Sequence, residues 1–223
     1  MNDWHWHYHD YQPEQERLRE ALCTLGNGYF ATRGAAPEAE ANKHHYPGTY
    51  LAGGYDRARS DVHGRTVENE DLVNLPNWLP LRLTFDDGTE FSLDTVDILD
   101  YHQGLDMRRG VLEREVRFRD DSARTTRLRQ RRLVHMSEHH LAALETEITA
   151  EDWSGTVTVE SALDGSVTNA GVERYQGLEG QHLEPMATDP VGEDGIWLKV
   201  RTRQSRLEIA LAARTRLYRN DET

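Results

Sequence analysis

Lysine, cysteine and long apolar runs are nearly missing from this chain of 223 residues. Cys23 is the only cysteine, which excludes an internal disulfide. It stands in Leu22-Cys23-Thr24-Leu25, an apolar setting with no acid–base partner, so it is expected as buried packing and not as a nucleophile. No stretch approaches the roughly 20 apolar residues of a membrane-spanning helix. The start, Met1-Asn2-Asp3-Trp4-His5, lacks the basic and apolar regions of a secretion signal. A cytoplasmic protein with no membrane partner is therefore expected. Lys43 and Lys199 are the only lysines, and the net charge of −13 argues against a nucleic-acid partner, since phosphate backbones are held by clustered cations.

Catalytic signatures are missing too. There is no Gly-x-Ser-x-Gly, no Gly-x-x-x-x-Gly-Lys and no Gly-x-Gly-x-x-Gly. Carboxylates cluster at Glu68 and Glu70-Asp71, at Asp86-Asp87 and at Asp120-Asp121. Adjacent acids in a strand point to opposite faces and cannot flank one glycosidic bond at about 5–10 Å, so solvated turns are the expected reading. His5-Trp6-His7-Tyr8-His9 could turn three imidazoles to one face, a metal-binding pattern, but supporting partners are not evident at a chain terminus. His44-His45 and His139-His140 lack the spacing of a helical zinc pair. No metal, no cofactor and no self-contained catalytic constellation are expected.

What is present is alternation. Trp78 to Phe85, Asp86-Asp87-Gly88 and Glu90 to Leu93 predict a hairpin, with Gly88 supplying the positive φ of a tight turn. Leu112, Val116 and Phe118 share one strand face, interrupted by Arg114, opposite Glu113, Glu115, Arg117 and Arg119. Thr125 to Leu133 alternates with Arg127, Arg129 and Arg131, and an apparent parity change predicts a bulge at Gln130 to Arg132. Leu144–Ile148, Gly155–Glu160, Ile196–Val200 and Leu207–Leu211 read as further strands. Only Pro13 to Leu25 reads as helix, with Leu18, Leu22 and Leu25 spaced as an apolar face. Gly165 to Asp194, Gly- and polar-rich with weak periodicity, predicts long loops or irregular strands on the sandwich surface. The whole, residues 1–223, is expected as a single all-β sandwich domain with a short N-terminal helical segment.

Two segments combine aromatics with glycine or proline: Leu25-Gly26-Asn27-Gly28-Tyr29-Phe30-Ala31-Thr32-Arg33-Gly34 and Leu75-Pro76-Asn77-Trp78-Leu79-Pro80. Core packing accounts for their aromatics; a sugar-facing or domain-facing surface is the functional alternative, because aromatic faces and guanidinium groups suit both contacts. These segments, with Pro47 to Asp56, Leu72 to Trp78, Leu105 to Leu112 and Leu163-Asp164-Gly165, resemble in order the landmarks of family 65 glycoside hydrolases and phosphorylases. The resemblance implies a large antiparallel supersandwich, similar to galactose mutarotase, that precedes a catalytic (α/α)6 barrel. It implies an inverting attack of inorganic phosphate on α-linked glucose disaccharides, with the general acid in a barrel that this sequence does not contain. This domain would then brace the barrel, shape the substrate entrance or support a homodimer, with Asn27, Tyr29, Arg33, Asn77 and Trp78 as the candidate residues. Two alternatives stay open: a carbohydrate-binding module for small sugars, and a mutarotase-like enzyme using His63 or His102.

Overall fold

The computed structural model describes residues 4–62, 64–170 and 180–219, and His63 lies outside them. In the N-terminal part, β1 (His5–Tyr8) precedes α1 (Pro13–Leu22), followed by β2 (Leu25–Gly26), β3 (Phe30–Thr32), β4 (Thr49–Leu51), β5 (Tyr55–Val62) and β6 (Arg65–Leu72). Next come β7 (Leu81–Phe85), β8 (Asp97–Asp106), β9 (Val111–Arg119), β10 (Thr125–Val134), β11 (Ala142–Ala150) and β12 (Val157–Ser161). The strands close with β13 (Leu183–Val191), β14 (Gly195–Thr202) and β15 (Glu208–Arg214). The fold is all-β and antiparallel, with one ten-residue helix among the described residues. No described helix is long and apolar enough to cross a membrane. The chain divides into two compact units, residues 1–47 with 81–160, and 48–80 with 161–223.

In the first unit, a sheet of order β1-β8-β9-β10-β11 carries its apolar residues inward at period two, and β7 pairs with β12. Leu83 and Phe85 of β7 pack with Tyr101, Val116, Phe118 and Leu128 of the larger sheet and with Phe91 and Leu93. A second cluster joins Cys23 and Leu25 to Leu105, Leu112 and Val134, so the lone cysteine is buried as expected. The Asp-Gly turn forms with Gly88 at φ 83°, although residues after it make only an isolated bridge, Thr84 to Glu90.

The predicted bulge is not there. Pairing of β10 with β9 and with β11 runs in continuous register past Gln130 and Arg132. Leu128, Gln130, Arg132 and Val134 all face inward, as does Arg114 on β9. The apparent parity change arose because this inner face carries polar side chains that are satisfied or held by other buried groups, not because the strand slips.

The helix is also turned over. Leu18 and Leu22 are 56% and 55% exposed, while Glu16, Arg19 and Glu20 are buried. The helix ends at Leu22, and Leu25 belongs to β2. Charge faces inward because each group is met there: Glu20 accepts from His45 Nδ1 at 2.8 Å and from the Tyr46 N–H at 2.8 Å. Arg19 donates to the Asp10 carbonyl and carboxylate and lies 4.4 Å over the Tyr8 ring.

In the second unit, β13, β14 and β15 form a meander whose Leu183, Leu198 and Val200 pack with Val73 and Leu75. Of the two expectations for Gly165 to Asp194, β13 is the irregular strand, with a register shift between Pro185 and Ala187; Pro185, Pro190 and an exposed outer half hide its alternation. Residues 171–179 of that stretch lie outside the described residues. The hairpin β5–β6 lacks any apolar face, since its exposed surface is a ladder of Arg57 and Arg59 against Glu68 and Glu70.

Candidate functional site

Asn27 organises the most distinctive surface of the first unit. Its Oδ1 accepts from the N–H groups of Tyr29 and Phe30, at 3.0 and 3.1 Å, closing the β2–β3 turn in which Gly28 takes φ 86°. Its Nδ2 donates to the carbonyls of His135 and His139, at 2.8 and 3.0 Å. One amide therefore ties the β2–β3 turn to the β10–β11 turn. His135 holds the latter by accepting at Nδ1 from the N–H groups of Ser137 and Glu138. The rigid pair presents Tyr29, 41% exposed, edge-on to His140 with ring centroids 4.5 Å apart. Met136 and Leu141 are exposed on the same β10–β11 turn. Sequence reading reached Asn27 and Tyr29 but not His140, Met136 or Leu141, because nothing local says which distant turn an amide will bond.

The other candidates are placed differently. Arg33 donates to the Arg17 carbonyl at 2.7 Å, lies 3.8 Å from Glu20 and covers the Tyr46 ring, so it clamps α1. Asn77 and Trp78 belong to the second unit. Asn77 is buried, exchanges backbone bonds with Asp164 and accepts from the Leu79 N–H at 3.1 Å. Trp78 is half-buried, and its Nε1 has no partner among the described residues. The landmarks thus meet within that unit: Asn77 with Asp164, and Thr49 with Leu75.

His7 of β1 and His9 just after it stack against His102 of β8. His102 sits 5.0 Å from His7 and 5.1 Å from His9 between ring centroids, with 3.4 Å separating the Nδ1 atoms of His9 and His102. Gly104 makes this stacking possible, since an added Cβ would lie 2.9 Å from His7 Nδ1. Burial, then the neighbouring His7 and His9, push the His102 imidazole below its ordinary value. Among the described residues, no group of three or more His, Cys, Asp or Glu is arranged to hold a metal ion.

Of the paired acids, Glu68, Glu70, Asp86, Asp87 and Asp120 are bound to arginines, and Asp71 lies 3.1 Å from His182 Nε2. Arg124 reaches Asp86, Asp87 and Asp120 at 2.8, 2.7 and 2.7 Å, with its guanidinium 4.7 Å over the Phe85 ring. Backbone and side-chain bonds from Thr89, outweighing burial and helped by Ser122 and Arg124, hold Asp87 down at about 2. Such a carboxylate stays ionised at any physiological pH and is no general acid.

The fold and this surface define an antiparallel all-β domain with exposed aromatic turns. The sequence matches the N-terminal domain of glycosyl hydrolase family 65 across residues 6–223, and the chain belongs to that family. One match spans both units. It is 47% identical to an uncharacterised glycosyl hydrolase of Mycobacterium tuberculosis, over 96% of this chain and 16% of that protein. It is 31% identical to a kojibiose phosphorylase of Caldanaerobacter subterraneus, over 89% of this chain and 24% of that one. It is also 31% identical to a trehalose 6-phosphate phosphorylase of Lactococcus lactis, over 88% of this chain and 24% of the relative. The chain thus spans between about a sixth and a quarter of the length of these curated relatives. A solved human-microbiome structure named for kojibiose phosphorylase superposes with a TM-score of 0.83 at 21% identity, over 97% of this chain and 28% of the other, which shows the shared fold.

Proposed function

We propose that this chain is the non-catalytic N-terminal domain of an enzyme that cleaves α-linked glucose disaccharides, with inorganic phosphate as co-substrate. The domain braces an (α/α)6 barrel and turns its Asn27-tied loop pair toward the substrate entrance or a second copy. The observation that carries this reading is the exposed set Tyr29, Met136 and Leu141 on two turns locked together by one side chain, a rigid apolar surface of the kind that marks contact sites. The engagement of Asp86, Asp87 and Asp120 with Arg124 supports a non-catalytic role. Purified chain incubated with phosphate and maltose, trehalose or kojibiose is expected to release no glucose 1-phosphate; turnover by the pure chain would overturn the reading.

The Tyr29–His140 edge favours one second reading, a sugar-binding module that stacks a pyranose on Tyr29. Calorimetry with millimolar disaccharide separates the two: saturable heat that disappears in Tyr29→Ala supports binding, and silence leaves the domain a scaffold.

A further inference from the structure

His9 and His102 both belong to the first unit, where the chain crosses from the end of β1 to the middle of β8. His102 pairs with Glu115 of β9, and Tyr8, the residue before His9, pairs with Gln103. The Nδ1 atoms of the two histidines are 3.4 Å apart. That is longer than the about 2.7–3.2 Å of an ordinary N–H hydrogen bond. It fits a different partner. Two imidazole nitrogens on one zinc ion, each about 2.0–2.1 Å from it, stand about 3.4 Å apart at the tetrahedral angle. Square-planar ligation would bring them to about 2.9 Å. Rings held radially on a tetrahedral ion would have centroids about 5.2 Å apart, and these two lie 5.1 Å apart.

The backbone around the pair is held on both sides. Tyr8 lies in the sheet, and Asp10 accepts from Arg19 at its carbonyl and its carboxylate. His9 is therefore bracketed by two anchored residues, the support that a chain terminus was not expected to supply. His9 is exposed and His102 half-buried, so an ion reaches them from solvent. Asp100 and Glu115 bring negative charge to bear on His102, and Glu115 also lies 3.8 Å from Arg127. His5 is engaged with Asp106 at 3.3 Å.

We propose that His9 and His102 form a two-imidazole site for one zinc-class divalent ion. Since no third His, Cys, Asp or Glu among the described residues is arranged as a ligand, water would fill the remaining positions. The ion would fasten β1, an edge strand, to the body of its sheet.

Zinc chloride titrated into the chain at neutral pH and followed by calorimetry should give one saturable event per chain, with a dissociation constant below about 0.1 mM. His9→Ala and His102→Ala should each weaken it at least about tenfold, and His5→Ala should leave it within about twofold. Circular dichroism checks that all three variants keep the fold. An absence of saturable heat overturns the proposal. So does an equal loss in His5→Ala and His9→Ala, the mark of diffuse binding along a histidine-rich strand. Cobalt(II) chloride reports the geometry: the intense visible bands of a tetrahedral ion, lost in His102→Ala, support the site, and the weak bands of an octahedral ion overturn it.

Discussion

His45 and His102 make opposite demands on pH. Burial opposes charge on His45, but its bond to Glu20 and the nearby carboxylates prevail, so its pKa is raised above 6.5. Its contribution to stability is complete below about pH 6.5 and is lost as pH rises through the folded value. His102 is lowered, so its contribution is present above about pH 6.5 and is lost as pH falls. Thermal melts from pH 5 to 9 should show His45→Gln flattening the alkaline limb and His102→Gln the acid limb. Gly34 is a steric case. An added Cβ would lie 2.6 Å from Cys23 Cβ and 3.0 Å from the Cys23 carbonyl oxygen. Gly34→Ala should therefore cost about 1–3 kcal/mol in urea denaturation, as overpacked sites do. At this scale the sequence was partly legible: Cys23 was read as packing from its apolar neighbours, and Gly88 as a turn from its Asp-Gly context. The partners of Asn27 and Arg124 were not, because a side chain's bonding to a distant turn leaves no local periodicity.

Helix α1 shows how an element can defeat its own pattern. Leucines at i and i+4 read as a core stripe, yet Leu18 and Leu22 face solvent while Glu20 is 2% exposed. Burial of Glu20 is stabilised by His45 and the Tyr46 N–H, groups that lie beyond the helix. Glu20→Gln should lose about 1.5–3 kcal/mol, the range for hydrogen bonds to a charged group. Leu18→Gln and Leu22→Gln should each stay within about 0.5 kcal/mol, as exposed substitutions do. Chemical denaturation of the three variants checks this, and a large loss for either leucine would restore the conventional orientation. Strands β9 to β11 are readable because their residues alternate between two faces, apart from the polar inner stripe of β9 and β10, whereas β8 escapes pattern reading because its register shifts between Ile98 and Asp100. Hairpin β5–β6 escapes it too, since charges on its paired strands satisfy each other and no apolar period results.

At the scale of the molecule, both units are discontinuous in sequence. Val73 and Leu75 share their buried core with Leu183, Leu198 and Val200, and Leu51, Leu163, Val167, Ile209 and Leu211 pack against it. Val200→Ala, 2% exposed in the parent, should therefore speed amide exchange in residues 48–80 together with 183–202 and leave β8 to β10 nearly unchanged. Acceleration confined to β13–β15 would show that the first segment belongs elsewhere. Pattern reading gave the class of the fold and could not give this partition, which depends on contacts between segments far apart in the chain. The same interleaving sets an order of events on the ribosome. The strands of the first unit are all available once Glu160 has emerged, but Val73 and Leu75 must wait for residues 183–200. At about 5–20 residues per second that delay lasts several seconds. A nascent chain stalled in that interval holds Val73 and Leu75 without their buried partners Leu183, Leu198 and Val200, the moment at which chaperone capture or misassociation competes with folding.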